Sequence, residues 1–178
     1  MAGFNISKQI LNNTLLFIIK LFNNNNIENW FVAYGTLLGI IREDSCIEGD
    51  DDIDIIVCKT NYETIKKLLL ENGFELEYGY NIGKQTTILK TKFQEEKQFV
   101  SIDFYMANID DNGNFHDLWE NVVWTNCYTS EKKLLEYKWN DEVLNIPFNP
   151  EKKLIGRYGE SWKIPSDSKG CMPRKRQI

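Results

Sequence analysis

YGTLLGIIR occupies residues 34–42 and is followed, after an acidic loop, by GDDDIDI at residues 49–55. The second stretch ends in alternating acidic and aliphatic residues, which is typical of a β-strand because successive side chains point to opposite faces. Asp52 and Asp54 therefore project from one face, while the isoleucines after each of them enter the core. These two carboxylates on one strand are the first indication of a metal- or phosphate-binding site.

Two carboxylates side by side repel each other unless a cation joins them. Carboxylate oxygens are hard ligands, which favours Mg²⁺ or Mn²⁺, and Mg²⁺ keeps water and substrate phosphates in its shell. Asp103 is a third candidate, since it lies mid-strand in an apolar run that pairing could bring beside Asp52 and Asp54. Asp50 and Asp51 are instead expected to lie in a solvated loop.

Gly35 and Thr36 lie between a predicted strand and a predicted helix. A glycine lets backbone N–H groups approach a phosphate closely, and the N-terminus of a helix favours an anion. Together with the acidic strand that follows, this turn predicts phosphate binding. Arg42, at the end of the helix, either binds a phosphate or pairs with Asp44 or Glu48.

Hydrophobic periodicity and turn residues divide the whole chain into helices and strands. Helices are predicted over residues 7–22, 36–42, 61–72 and 149–158. Strands are predicted over residues 30–34, 53–57, 74–80, 86–91, 99–105 and 122–128. Because no repeat or linker interrupts this pattern, the sequence predicts one α+β domain spanning residues 1–178, with a loose basic tail from about residue 166.

The negative charge of the chain is concentrated in one segment. The sequence has 21 Lys and Arg against 26 Asp and Glu, a net charge of −5. Residues 43–54 hold seven of the acids and no basic residue; without those seven, 19 acids remain against 21 basic residues, a net charge of +2. The acidic balance argues against a general nucleic-acid coat, so no specific nucleic acid is expected as a partner. Its concentration predicts a cation site.

The cysteines and the N-terminal region indicate a reducing compartment. Cys46, Cys58, Cys127 and Cys171 are widely spaced and the chain has a single histidine, His116, so a zinc site is not expected and the thiols are expected to be reduced. The sequence shows no secretory signal and no run of about 20 apolar residues. We therefore expect a cytoplasmic protein, either free or associated with the cytoplasmic face of a membrane.

The acidic strand and the turn before it resemble the signature of the LicD family, the phosphocholine and phospho-polyol transferases that include the fukutin-related proteins, within the nucleotidyltransferase-fold superfamily. The superfamily pattern is a Gly-Ser/Thr turn, an Asp-x-Asp strand and a third acid on a later strand. In this chain the corresponding residues are Gly35, Thr36, Asp52, Asp54 and Asp103. YGESW at residues 158–162 is similar to the closing motif of the family.

The resemblance has one departure in the loop before the acids. Family members commonly have a Pro-Trp pair there, where this chain has Glu48 and Gly49. The chain is also short for the family. The first difference concerns the wall of the loop on the substrate side, and the second concerns a segment that would recognise the acceptor. All three acids of the pattern are present.

The resemblance implies a nucleotidyltransferase-like mixed β-sheet flanked by helices, and a metal-dependent enzyme. The implied reaction moves a phospho-alcohol group from a CDP-activated donor to a hydroxyl of a glycan or glycolipid, releasing CMP. Asp52 and Asp54 would hold Mg²⁺ or Mn²⁺ against the donor diphosphate, and Asp103 would share the metal or accept the proton of the hydroxyl. The phosphate-binding residues would be Gly35, Thr36 and Arg42.

Two other functions are open at this point. An enzyme of the same fold transfers a nucleotide from a nucleoside triphosphate to a small molecule or a nucleic acid, and the acids alone do not distinguish it. Release of pyrophosphate rather than CMP would identify it. A non-catalytic binding module is the second alternative, and it requires acids that bind no cation.

Overall fold

The computed structural model describes residues 7–79, 86–165 and 176–178. Within these residues the helices are α1 (Lys8–Asn24), α2 (Tyr34–Glu43), α3 (Tyr62–Glu71) and α4 (Pro150–Tyr158). The strands are β1 (Trp30–Val32), β2 (Asp52–Cys58), β3 (Ile88–Lys90), β4 (Ser101–Ile109), β5 (Phe115–Asp117), β6 (Val122–Trp124), β7 (Leu135–Trp139) and β8 (Glu142–Ile146).

A mixed sheet of six strands forms the centre of the described chain. Its strands are ordered β1-β2-β4-β5-β6, and β3 pairs with the first half of β4. β2 and β4 run parallel, whereas every other pairing in this sheet is antiparallel. β7 and β8 form a separate antiparallel hairpin. The predicted α+β class and mixed sheet are therefore confirmed.

The core lies where α1 and the central strands meet. The apolar stripe of α1 is fully buried at Leu11, Leu15, Ile18 and Ile19, as expected for a helix with residues of this type at helical spacing. Residues 53–57 of β2 are all buried, and all of them except Asp54 are aliphatic, a pattern typical of a strand covered on both faces. The strand that carries the acids is thereby held rigidly in the core.

The predicted helices agree with the structure except at their ends. α1 runs two residues beyond residue 22 before Asn25 ends it, and α4 begins with Pro150 at its first position as predicted. α2 starts at Tyr34 with Ala33 as its N-cap, so it begins two residues before the predicted start at Thr36. The Thr36 hydroxyl instead accepts a hydrogen bond from β2, as described below.

The predicted strands agree less well. The strand expected over residues 74–80 reduces to an isolated bridge between Leu76 and Thr91, and residue 80 lies outside the described residues. β4 begins later and extends further than predicted, while β6 is shorter. β5 and the β7-β8 hairpin are missing from the prediction. The hairpin turns at Asn140 and Asp141, which both have positive φ (46° and 63°), the geometry that a two-residue type I′ turn requires.

The last three residues of the chain pair with β6. Gln177 forms a parallel bridge with Val123, and the Lys153 ammonium donates hydrogen bonds to the carbonyl oxygens of Thr125 and Ile178. Ile178 is buried. The expectation of a loose tail is therefore wrong for residues 176–178, and residues 166–175 lie outside the described part.

Two further expectations concern the cysteines and the membrane. Cys46, Cys58 and Cys127 are free thiols, and Cys171 lies outside the described residues. Among the described residues, no helix has the length and apolar character needed to cross a bilayer.

Candidate metal and phosphate site

Three predicted acids meet on one face of the sheet. Asp54 of β2 is the direct partner of Asp103 in the parallel pair β2-β4, and Asp52 lies two residues earlier on the same face. Asp54 and Asp103 are both buried residues, each with 8% of its surface exposed. The predicted juxtaposition of Asp103 with the Asp-x-Asp pair is confirmed, although the catalytic and metal-binding roles of these three residues stay predictions.

The N-terminus of α2 holds the Asp54 carboxylate in place. The Gly35 N–H donates to Asp54 Oδ2 over 3.0 Å, and the Tyr105 hydroxyl donates to Asp54 Oδ1 over 3.1 Å. The Asp54 backbone N–H in turn donates to the Thr36 hydroxyl over 2.8 Å. Gly35 and Thr36 therefore join the start of α2 to the acidic strand, and their direct contact with a phosphate stays a prediction.

Asp50 also belongs to this cluster, contrary to the expectation of a solvated loop. A Cβ atom placed on Gly35 would lie 2.8 Å from Asp50 Oδ2 and 3.3 Å from Asp54 Oδ2. A side chain at position 35 would displace the Asp50 carboxylate, so the present arrangement of the two carboxylates requires glycine there. Oxygens of Asp50, Asp51 and Asp52 also lie within 4.8 Å of one another.

The electrostatics of the cluster disfavour ionised acids. Burial raises the pKa of Asp52 to about 7, and the neighbouring Asp103 and Asp50 carboxylates add to the rise. Burial also raises the pKa of Asp54 well above its usual range, with Asp52 and Asp103 contributing. These shifts arise because several carboxylates share a poorly solvated space. A bound cation would relieve this repulsion.

Lys90 is the cation that the structure places among the acids. It is the antiparallel partner of Asp103, and its Nζ lies 2.6 Å from Asp103 Oδ1 and 4.0 Å from Asp52 Oδ2. Burial alone would lower the pKa of Lys90, but its contacts with Asp103 and Asp52 raise it, so the side chain is charged. On sequence alone Lys90 either faces solvent, which is the favoured expectation, or faces a phosphate if its strand borders the site. Only the pairing of β3 with β4 reveals its position.

The donor set fits a hard divalent cation. The carboxylates of Asp50, Asp51 and Asp52 are close enough to share one ion, and Asp54 points to the same side of Gly35 as Asp50. All are oxygen ligands, the type that Mg²⁺ and Mn²⁺ prefer, and no cysteine or histidine belongs to this group.

Arg42 lies at the opposite end of α2 from Gly35 and Thr36. It is in the last turn of α2, eight residues after Tyr34 and hence about 12 Å along the helix. Its guanidinium pairs with Glu43, with Nη2 at 2.5 Å from Oε1. The partner is therefore neither Asp44 nor Glu48, and phosphate binding by Arg42 stays a prediction.

Aromatic and basic residues missed by sequence reasoning complete the site. The Tyr34 hydroxyl donates to the buried Asp117 over 2.6 Å, and the Arg157 guanidinium lies 4.9 Å from the centroid of the Tyr34 ring. Burial raises the pKa of Tyr158, and the Asp54 and Asp50 carboxylates contribute to the rise, which places that hydroxyl near the acids. The YGESW motif was the only sequence signal in this region.

The fold and the acidic cluster define a transferase domain of the nucleotidyltransferase type. The crystal structure of the lincosamide antibiotic adenylyltransferase LnuA with lincomycin bound is similar, with a TM-score of 0.57 over 84% of this chain and 85% of that chain, at 16% identity. Residues 26–150 match the family model described as LicD/FKTN/FKRP, nucleotidyltransferase domain. The chain belongs to the LicD family. No curated protein sequence matches it significantly.

Proposed function

We propose that this protein is a metal-dependent enzyme that moves a phospho-alcohol group, of the phosphocholine or phospho-polyol type, from a CDP-activated donor to a hydroxyl of a glycan or glycolipid. CMP is the second product. The observation that carries the proposal is a buried cluster of acids, on paired strands, inside a LicD-family domain. Transfer of this kind needs charge neutralisation and positioning more than a covalent intermediate.

The acids divide between two tasks in this proposal. Asp52 and Asp54, joined by Asp50, hold the divalent cation, which when bound neutralises charge on the donor diphosphate. Mg²⁺ or Mn²⁺ suits these ligands. The Gly35 N–H and the Tyr105 hydroxyl keep Asp54 oriented, since each donates to one of its oxygens.

Asp103 is suited to accept the proton of the attacking hydroxyl. Burial raises its pKa above the usual range, while Lys90 beside it opposes the rise and favours the ionised form. As the hydroxyl oxygen forms its bond to phosphorus, its proton passes to Asp103 and the bond from phosphorus to the CMP oxygen breaks. A general base must lie within hydrogen-bond reach of the proton it removes.

Release of CMP tests the proposal. The protein is incubated with Mg²⁺, a panel of glycan acceptors and CDP-choline, CDP-ribitol or CDP-glycerol, and CMP and modified glycan are quantified. Asp54→Asn is expected to abolish transfer while circular dichroism and thermal unfolding remain close to wild type, because the side chain keeps its size. Transfer by this variant at the wild-type rate would contradict the assignment.

Nucleotidyl transfer from a nucleoside triphosphate is the second candidate. The similarity in fold to an adenylyltransferase favours it, and the acids alone do not distinguish the two reactions. Incubation with each of the four nucleoside triphosphates separates the two functions: pyrophosphate release without CMP release from CDP donors would favour this candidate. If neither donor class nor Mg²⁺ bound the folded protein, a non-catalytic module would be favoured.

A further inference from the structure

Arg157 of α4 faces the start of α2. Its guanidinium lies 4.9 Å from the centroid of the Tyr34 ring, well within the range of a cation–π contact. Tyr34 directly precedes Gly35, whose N–H donates to Asp54. Arg157 therefore packs on the residue that directly precedes Gly35, the glycine on which the acids converge.

Within the residues that the structure describes, Arg157 forms no ion pair with a carboxylate, in contrast to two other cations. Lys90 pairs with Asp103 and Asp52, and Arg42 pairs with Glu43. An aromatic face holds a guanidinium without using its N–H donors, and those donors form a planar fork that matches a phosphate. The Tyr158 hydroxyl, whose pKa the Asp54 and Asp50 carboxylates help to raise, forms a side-chain hydrogen bond with Arg157. One part of the guanidinium is thus engaged by Tyr158, and its other N–H donors have no carboxylate partner among the described residues.

The ring that carries Arg157 is itself fixed. Tyr34 donates to Asp117 Oδ2, and Asp117 Oδ1 accepts from the backbone N–H groups of Trp119 and Glu120 over 2.8 and 3.0 Å. The Tyr34 ring also makes an edge-on contact with the Tyr105 ring, with centroids 5.0 Å apart. Because Tyr105 donates to Asp54, one connected set of side chains positions both the Tyr34 ring that contacts Arg157 and the Asp54 carboxylate.

We infer that Arg157 binds the diphosphate group of the nucleotide donor. Lys90 neutralises an acid of the cluster, whereas Arg157 neutralises the negative charge of the substrate. This role is separate from the phosphate binding that the sequence predicts for Arg42, which stays a prediction. The inference rests on the proposed function for the identity of the donor, but the ligand chemistry it names, a diphosphate held with a divalent cation, is independent of the base and of the alcohol.

Binding of inorganic pyrophosphate with Mg²⁺ tests the inference by calorimetry on the full chain. Arg157→Gln is expected to weaken pyrophosphate binding about tenfold or more, the size of a lost charge-assisted contact. Arg157→Lys, which keeps the charge but loses the fork, should fall between the two. Lys67→Gln, which removes an exposed cation that pairs with Glu71 on α3, is the control and should bind as wild type. Titration of Mg²⁺ alone should be unchanged in Arg157→Gln, a result that a general loss of structure would not give.

The outcomes separate this inference from the proposed function. Pyrophosphate binding by folded Arg157→Gln within twofold of wild type would overturn the inference even if CMP release from CDP donors were found. Failure of the wild-type chain to bind pyrophosphate would overturn it as well. Loss of pyrophosphate binding on substitution, in a chain that transfers nothing from CDP donors, would support the role of Arg157 and reject the proposed donor. If Arg157→Gln does not fold, Arg157→Lys decides on the same criteria.

Discussion

Substitution of Gly35 by alanine should weaken cation binding and leave the fold nearly as stable as before. The new Cβ would lie 2.8 Å from Asp50 Oδ2 and 3.3 Å from Asp54 Oδ2, so at least the Asp50 carboxylate must move. It lies at the end of a side chain that can rotate, which keeps the cost small. Alanine also favours the helical conformation over glycine by up to about 1 kcal/mol.

The two effects on stability nearly cancel, whereas the effect on the site does not. We expect the free energy of unfolding to change by no more than about 1 kcal/mol, or about 2–4 °C in Tm for a chain of this size. The affinity for Mn²⁺ or Mg²⁺ should fall at least about tenfold, because one charged ligand no longer reaches the ion. Calorimetric titration with Mn²⁺ and thermal unfolding without metal measure the two quantities separately.

Gly39→Ala on the same helix is the matched control. Its Cβ would lie 2.4 Å from the Ser45 carbonyl oxygen and 3.1 Å from the Ile47 backbone nitrogen, and backbone atoms cannot rotate away. This variant should lose stability by about 1–3 kcal/mol through overpacking. Mn²⁺ affinity within twofold of wild type in Gly35→Ala would refute the reasoning, and so would a loss of stability as large as that of Gly39→Ala.

Two further predictions concern charge in the cluster. Lys90→Met should bind Mn²⁺ more tightly, by roughly three- to tenfold, because the ammonium 4.0 Å from Asp52 no longer repels the ion. Lys92 is the control, because its exposed ammonium pairs with Glu75 instead, and Lys92→Met should have the Mn²⁺ affinity of the wild type. In the metal-free protein, the pKa of Asp52 is raised to about 7 against about 3.9 in the unfolded chain, so the folded state binds the proton more tightly. Its contribution to stability is full at low pH and is lost as pH rises from about 4 to 7. The free energy of unfolding in urea should therefore be larger at pH 5 than at pH 8. Asp52→Asn or saturating Mg²⁺ should reduce this difference, and the raised pKa values of Asp50, Asp54 and Asp103 account for what remains in Asp52→Asn. An unchanged difference in Asp52→Asn would contradict the assignment.

Local patterns in the sequence account for a large part of the fold. The helical spacing in α1 and α4 and the buried run of β2 follow from residues that are close in the chain, and α1, α3 and α4 agree with the prediction to within a few residues. The hairpin formed by β7 and β8 was accessible from the Asn140-Asp141 turn but was missed. The predicted strand over residues 74–80 is reduced to a single bridge, in which the Glu77 N–H donates to the Lys90 carbonyl and the Lys92 N–H donates to the Glu75 carbonyl. How far such pairing continues depends on the path of the neighbouring segment, which alternation alone does not specify.

The candidate site divides in the same way. Alternation in a strand places Asp52 and Asp54 on one face whatever the rest of the chain does, and the concentration of acids in residues 43–54 indicates a cation there. The family pattern adds Asp103, but the contact itself depends on the parallel register that sets Asp54 opposite Asp103.

The sequence by itself determined the class of chemistry, because residue types and their spacing along one strand are enough to specify a hard-oxygen cluster. The tertiary structure alone decided which other charges meet it. Lys90 reaches Asp103 through strand pairing, Asp50 reaches Gly35 through the loop, and Arg157 reaches Tyr34 through the packing of α4 near α2. Contacts between residues distant in the chain depend on register and packing, which no local pattern specifies.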